Sequence, residues 1–166
     1  MNLVRRPLLV LCAPGATAQT TALAPRLPAH DAAELEATEG SGAGRIAAAM
    51  LAVETRLVDA RPPAVLLCGD GPEVAAAALV GIKLGLPQAR LDAGVRGGGR
   101  RDPTEVERAI PDRLCDLLLC VDEAAVANLA REGLGDRASA VGDVQVDPGP
   151  AADAIRAWLP TYTSPA

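Results

Sequence analysis

The stretch AVLLCGDGPEVAAAALVGIKLG, residues 64–85, decides the fold. It opens with a short, fully apolar run that ends at Gly69 and Asp70, as expected for a strand buried on both faces. A longer helical run follows Gly71 and stops at Gly85, just before a proline, which is a common way for a helix to end. A strand, a glycine turn and a helix in this order form the repeating unit of a parallel α/β sheet.

The same alternation continues along the whole chain. Further strands are predicted at 7–13, 88–94, 116–121 and 138–143, with at most one brief strand between Leu27 and Gly40. Further helices are predicted from Gly15 to about Leu27 and at 45–60, 103–114, 123–133 and 150–159. We therefore predict a Rossmann-like, doubly wound parallel sheet of about five or six strands. It would form one domain over residues 1–160, followed by a tail at 161–166.

Composition and charge exclude several classes of function. The 166 residues carry a net charge of −5, which argues against binding to nucleic acid or to an anionic membrane surface. No segment reaches the ~20 apolar residues that a membrane span needs, and the apolar run near the N-terminus is too short for a signal peptide. We expect a cytoplasmic protein whose core consists of Ala, Val and Leu, because the chain has no Phe.

The cysteines and the single histidine offer little chemistry. Cys12, Cys68, Cys115 and Cys120 lack the close pairing of zinc ligands, and we expect reduced thiols in the core, no metal and no cofactor. Cys12 and Cys68 end strands that could be neighbours, but no adjacent histidine would activate them as nucleophiles. His30 is predicted to lie at the surface, in a polar connector.

Two carboxylates follow predicted strands directly. Ligands of such sheets bind beyond the carboxyl ends of the strands, where Asp70 and Asp92 are expected. On neighbouring strands they could act as acid and base, if their environments separate their pKa values. They could equally be a helix N-cap and a solvated loop charge. The residues alone leave both interpretations open.

The loop LDAGVRGGGRRDPTEVER, residues 91–108, combines a glycine run with Arg96, Arg100 and Arg101. It lacks the Lys-Ser/Thr ending of a P-loop and the spacing of the dinucleotide-binding fingerprint. Glycines let backbone amides approach an anion, and the arginines add positive charge. A mobile lid over a phosphorylated or sugar ligand and a disordered surface loop are both compatible with this sequence.

The order of these motifs resembles the non-hydrolysing UDP-N-acetylglucosamine 2-epimerase family. The likeness runs from CGDGPEVAAAALVGIKLGLPQARLDAGVRGGG through DPTEVERAIPDRLCDLLLCVDE to VGDVQVD, roughly residues 61–147. The family has a Gly-Asp strand end, a Val-Glu-Ala-Gly-Leu-Arg element, a Pro-Glu-Glu helix start and a Gly-Asn/Asp-Val strand end. The resemblance implies one half of a two-domain, GT-B-like enzyme that eliminates UDP and adds it back after proton exchange at C2.

Three catalytic carboxylates are implied by the resemblance. Asp70 matches the family's catalytic aspartate, and Asp92 stands where the family has a glutamate, with one methylene less of reach. Glu105 matches the second glutamate of the Pro-Glu-Glu element, whereas Thr104 replaces the first. The resemblance therefore predicts a catalytic site that has lost part of its chemistry.

The binding residues give a similarly mixed result. The resemblance implies substrate binding by Gly69, Gly71, Arg96 and Arg108. In the loop after the first strand, however, Pro14 and Gln19 occupy the positions of an arginine and a lysine of the family. The segment between Leu27 and Gly40, which should supply two more strands, is also shorter than the family's.

These features lead to two functional predictions. The resemblance implies that the chain corresponds to the family's N-terminal domain alone, whereas the family's second domain holds most UDP contacts and a catalytic histidine. We expect it to be inactive alone as an epimerase and to serve as a binding or partner subunit for a UDP-sugar or related small molecule. It would form a homodimer or a complex with a second-domain partner. The alternative is an enzyme, stand-alone or completed by a partner, that uses Asp70 and Asp92 for isomerase or lyase-type proton chemistry on a different substrate.

Overall fold

The computed structural model describes residues 6–37, 39–99 and 101–163, which form a six-stranded parallel sheet in the order β2-β1-β3-β4-β5-β6. The strands are β1 Leu8–Cys12, β2 His30–Glu34, β3 Val65–Cys68, β4 Gln88–Leu91, β5 Leu117–Cys120 and β6 Ala138–Ala140. Every neighbouring pair is parallel. The predicted doubly wound sheet is confirmed, including the one brief strand before residue 40.

Helices connect the strands as predicted. They are α1 Thr17–Leu23, α2 Gly42–Ala60, α3 Pro72–Lys83, α4 Pro103–Leu114, α5 Glu123–Arg131 and α6 Gly149–Thr163, with 3-10 turns at Ala24–Arg26 and Gly135–Arg137. The last helix ends at Thr163, inside the stretch that we expected to be a tail. Within the described ranges, no helix combines the length and the apolar character that crossing a membrane requires.

The sheet is covered by helices on both faces because its strands β1, β3 and β5 are apolar on both faces. Leu9 and Leu11 of β1 pack with buried side chains of α2, α3 and α5. Leu8 and Val10 point the other way and pack with α1 and α6. Alternating side chains of one strand thus supply both layers of the core, which explains why the strands read as continuous apolar runs.

Small residues bring the ends of β1 and β3 close together. Gly69 follows β3 with φ +83°, and a Cβ atom there would lie 2.8 Å from the Cβ atoms of both Ala13 and Ala16. Only glycine combines this backbone conformation with such a close approach. The approach sets Asp70 beside the loop that follows β1.

The four cysteines are free and buried, as expected. Cys12 and Cys68 end β1 and β3 and are register partners, so the expected neighbouring strand ends are confirmed. Burial raises the pKa of the Cys115 thiol to about 12 and raises that of Cys68 further. These thiols are protonated core side chains at neutral pH rather than nucleophiles.

His30 corrects one sequence-based expectation. It is the first residue of β2 rather than part of a polar connector, because β2 is a largely exposed edge strand whose polar sequence resembles a connector. Its Nδ1 atom lies 2.9 Å from the carbonyl oxygen of Pro28. It therefore lies at the amino end of an edge strand, away from the carboxyl ends where a ligand would bind.

Candidate functional site

Asp70 and Asp92 lie at the same edge of the sheet, because β3 and β4 are parallel neighbours and each carboxylate follows its strand. Together they line a pocket of about 290 Å³. Its remaining lining is uncharged: Gly15, Ala16, Ala18, Gln19, Gly69 and Gln145. The expected pairing of two carboxylates at neighbouring strand ends is confirmed, and no cation lines this pocket within the described part of the chain.

Asp70 is held by two arginines. Its Oδ1 accepts from Nη2 of Arg90 at 2.7 Å, and its Oδ2 accepts from Nε of Arg108 at 2.9 Å. The N-cap of α3 is Gly71, with φ +121°, so the interpretation of Asp70 as a helix cap is wrong. The side chain is still 37% exposed, and each carboxylate oxygen retains a lone pair for a ligand.

Asp92 has a different environment. Its backbone has φ +56°, in the left-handed region that few residues other than glycine, asparagine and aspartate adopt. Burial raises the pKa of its carboxyl, with smaller contributions from Asp70 and Asp143, while a hydrogen bond from Gln19 and the charge of Arg90 oppose the shift. Asp92 therefore takes up a proton more readily than an aspartate in water, which suits a group that exchanges protons.

Arg90 is the site residue that the sequence interpretation missed. It lies within β4, its side chain is only 1% exposed, and it donates to the carbonyl oxygen of Gly69 at 2.8 Å as well as to Asp70. Its Nε atom donates to Oδ1 of Asp112 at 3.0 Å. An arginine within a predicted strand of a sheet covered on both faces was the available signal, because a buried guanidinium requires acceptors.

Asp112 links this arginine to the loop after β4. The side chain is buried in α4, and its Oδ2 accepts from the backbone N–H of Gly94 at 3.1 Å and from Nη1 of Arg96 at 2.8 Å. Arg96 also makes two parallel bonds to Glu132, at 2.8 and 2.9 Å. A fork-to-fork pair of this kind fixes the guanidinium plane.

Arg96 does not line the pocket of Asp70 and Asp92. It lines a second, larger depression of about 850 Å³ beside α4, together with Glu105, Glu132 and several apolar side chains. The hydrogen bonds that Arg96 donates to Glu132 and Asp112 raise the pKa of its guanidinium and outweigh the opposing effect of burial. Its substrate-binding role stays a prediction, and its contacts are those of a residue that fixes the loop.

Glu105 lies on the inner side of α4. Its Oε1 accepts from the backbone N–H of Gly97 at 3.0 Å and from Nη1 of Arg108 at 3.2 Å. The catalytic role of Glu105 and the binding role of Arg108 stay predictions. The ion pairs join end to end in the order Glu105, Arg108, Asp70, Arg90, Asp112, Arg96 and Glu132.

The glycine loop is held at several points. Its Gly97 N–H is bonded to Glu105, and the N–H of Asp102 donates to the carbonyl oxygen of Gly99 at 2.8 Å. The Asp102 side chain then caps α4 by accepting from the N–H of Thr104 at 3.0 Å. These contacts disfavour a disordered loop over residues 91–99. A lid role stays a prediction, and Arg100 lies outside the described residues.

Comparisons with known sequences give a consistent family. The family model for UDP-N-acetylglucosamine 2-epimerase matches residues 19–158. A UDP-2,3-diacetamido-2,3-dideoxy-D-glucuronate 2-epimerase of Pseudomonas aeruginosa is 34% identical over 113 residues, 66% of this chain and 31% of that protein. A UDP-N-acetylglucosamine 2-epimerase of Methanocaldococcus jannaschii is 33% identical over 111 residues, 66% of this chain and 30% of that protein.

Solved structures share the fold. The UDP-GlcNAc 2-epimerase of M. jannaschii superposes with a TM-score of 0.73 at 24% identity, over 86% of this chain and 47% of that one. The enzyme of Neisseria meningitidis, bound to UDP-GlcNAc, gives 0.75 at 17% identity, over 85% and 47%. The matches span about a third of the curated relatives and about half of the solved chains. The chain belongs to the UDP-N-acetylglucosamine 2-epimerase family and corresponds to the N-terminal-type half of its GT-B architecture.

Proposed function

We propose that this chain supplies the sugar-facing part of a nucleotide-sugar site, and that alone it does not epimerise UDP-N-acetylglucosamine. The observation that carries this proposal is the charge of the pocket, whose lining includes Asp70, Asp92, Gln19 and Gln145 but no cation among the described residues. Carboxylate and amide oxygens accept hydrogen bonds from sugar hydroxyls and from an amide N–H. The same carboxylates repel a diphosphate.

The nearby arginines do not offset this repulsion of a diphosphate. Arg90 is shared between Asp70 and Asp112, and Arg108 between Asp70 and Glu105. Binding a diphosphate requires donors that are aimed at it and not already neutralised. We therefore assign the diphosphate to groups outside this half, supplied by a second domain or by a partner chain, with a homodimer as one form of that partnership.

Within the pocket the two carboxylates have separate tasks. Asp70, oriented by Arg90 and Arg108, accepts hydrogen bonds from the sugar and fixes its position. Asp92, whose pKa burial raises, is the group that holds or releases a proton. This division of tasks follows from their environments rather than from their chemical type.

The raised pKa of Asp92 also favours a second candidate function. A carboxyl that holds a proton more readily, placed in a pocket beside a fixed carboxylate, suits isomerase or lyase-type proton chemistry. The substrate would then be a small polyhydroxyl compound without a diphosphate. In that case the chain is an enzyme by itself or with a partner that closes the pocket.

Ligand-observed proton NMR in deuterated water separates these functions. With UDP-N-acetylglucosamine we expect saturation transfer to the sugar protons and no loss of the C2 proton signal. When N-acetylglucosamine and UDP are tested as separate ligands, we expect saturation transfer to N-acetylglucosamine but not to UDP. Asp70→Asn and Asp92→Asn test the roles of the two carboxylates, and each should weaken the saturation transfer to the sugar protons.

Two results would contradict the proposal. Loss of the C2 proton signal above the Asp70→Asn control would make the isolated chain a proton-exchange enzyme. Saturation transfer to UDP but not to N-acetylglucosamine would place the nucleotide, not the sugar, in this half. Exchange on a sugar that carries no diphosphate would favour the second candidate.

A further inference from the structure

Gln19, on α1, contacts Asp92 through only one end of its amide. Its Nε2 donates to Oδ2 of Asp92. Its Oε1 is buried and has no hydrogen-bond partner among the residues that the structure describes. A carboxamide donates from one end and accepts at the other. Because no described group holds Oε1, no second hydrogen bond fixes which end of the amide faces Asp92.

The charged groups around Asp92 have opposite effects on the pKa of its carboxyl. Arg90 from β4 favours the ionised form, whereas Asp70 after β3 and Asp143 after β6 favour the protonated one. Burial favours the protonated form most strongly. Cys68, at the end of β3, is a neutral thiol at physiological pH because burial raises its pKa. Each protonation state of Asp92 is thus favoured by some of its surroundings, and a hydrogen-bond partner that suits only one state would oppose proton exchange.

We propose that Gln19 is a positioning residue for Asp92, whose amide donates from Nε2 to the ionised carboxylate and, turned by 180°, accepts at Oε1 from the protonated one. Asp92 then keeps its place in the pocket whether or not it carries the proton. This inference rests on the proposed function, in which Gln19 lets the sugar-facing carboxyl of Asp92 exchange a proton without moving. The amide itself transfers no proton and is not a catalytic residue.

A pH titration by NMR tests the inference without any ligand. The chain is labelled with ¹³C at the aspartate carboxyl groups and with ¹⁵N at the glutamine amides. Loss of a signal in Asp92→Asn and in Gln19→Met assigns the two groups. We expect the amide protons of Gln19 to shift with the same midpoint as the carboxyl of Asp92, because the donated hydrogen bond ends when Asp92 is protonated.

Substitutions at position 19 provide the second readout. Gln19→Lys donates only and adds a cation, so the midpoint of Asp92 should fall by about one pH unit or more. Gln19→Met has a similar size without a donor, so the midpoint should rise. Thr21→Val is the matched control on the same helix: its hydroxyl bonds to the carbonyl oxygen of Thr17, and its removal should leave the midpoint unchanged.

Two outcomes would overturn the inference. One is a Gln19 amide that does not respond as Asp92 titrates, a measurement on the unsubstituted protein that needs no variant to fold. The other is an Asp92 midpoint that neither position-19 variant moves. Coupled titration without binding of N-acetylglucosamine would remove the proposed function and leave the role of Gln19, whereas binding without coupled titration would do the reverse.

Discussion

Arg90 of β4 and Asp112 of α4 form an ion pair in which each side chain is 1% exposed and Nε lies 3.0 Å from Oδ1. Each partner also reaches a different part of the site. Arg90 binds Asp70 beyond the end of β3, and Asp112 binds Gly94 and Arg96 in the loop after β4. One buried pair therefore sets the relative position of the pocket carboxylate and the glycine loop.

Replacing the arginine should be costly. Arg90→Met leaves Asp112 with a buried charge that only Arg96 still offsets, and it leaves the carbonyl oxygen of Gly69 without its donor. We expect the free energy of unfolding to fall by about 3–5 kcal/mol, as when one partner of a buried ion pair is removed. Urea denaturation measures the change. Arg101→Met, at an exposed arginine, is the control and should stay within about 0.5 kcal/mol of the parent.

A double-mutant cycle tests the pair itself. In the background of Asp112→Asn, which removes the buried negative charge, Arg90→Met should cost less than it does alone. The difference should exceed about 1 kcal/mol, the range seen for residues in direct contact. Strictly additive losses would show that the two side chains act independently and would contradict the assigned pairing.

Local pattern was enough to predict the framework. Apolar runs such as Val65–Cys68 are buried along their whole length, so their composition alone indicates central parallel strands. The order of strands and helices then places Asp70 and Asp92 at one edge. The environment of Asp92 was not predictable in this way, because Gln19 reaches it from 73 positions earlier in the chain.

The ion pairs could not be predicted from the sequence for a related reason. Arg90 and Asp112 are 22 positions apart in the sequence, and Arg96 and Glu132 are 36 apart. At these sequence separations, charge patterns along one helix carry no information about pairing. The resemblance predicts that Arg96 binds the ligand. The structure instead shows its guanidinium occupied by Asp112, Glu132 and the carbonyl oxygen of Val95.

The pair of Arg96 with Glu132 should make stability depend on pH. The hydrogen bond from Arg96 lowers the pKa of Glu132 in the folded state, so its contribution is present above the ordinary glutamate pKa and is lost as pH falls through the folded value. Glu132 is 36% exposed and screened by solvent, so Glu132→Gln should cost only about 0.5 kcal/mol at neutral pH.

The pH profile of unfolding is the measurement for Glu132. The parent and Glu132→Gln should converge only at a pH below the usual titration range of a glutamate. Glu54→Gln, at an exposed glutamate of α2, is the control and should follow the parent across the range. A Glu132→Gln deficit that persists unchanged at low pH would rule out the ion pair as its cause.

Neighbouring glycines of the loop should respond differently to alanine. A Cβ at Gly98 would lie 2.4 Å from Oδ2 of Asp102 and 2.7 Å from Cγ of Glu105, whereas Gly99 has open space around it. Gly98→Ala must displace the side chain that caps α4 and should cost about 1 kcal/mol. Gly99→Ala should be neutral or slightly stabilising. Thermal unfolding compares the two, and equal effects would contradict the described loop.

Asp92 should oppose folding at neutral pH. Burial raises the pKa of its carboxyl in the folded state, so the contribution of Asp92 to stability is fully present below the unfolded pKa and is lost as pH rises through the folded pKa. An asparagine side chain at this position carries no charge, still tolerates the left-handed backbone and can still accept from Gln19. Asp92→Asn should therefore raise the free energy of unfolding at neutral pH, by up to about 1 kcal/mol.

The gain from Asp92→Asn should vanish in acid. Once the parent carries the proton, both side chains are neutral, and their unfolding free energies should coincide below the ordinary aspartate pKa. Asp143→Asn is the matched control, because Asp143 is an exposed aspartate of the loop after β6 that also favours protonation of Asp92. It should shift the titration of Asp92 only slightly. A variant less stable than the parent at neutral pH would mean that the ionised carboxylate stabilises this fold, and Asp92 would then be a structural anchor rather than a group held ready to exchange a proton.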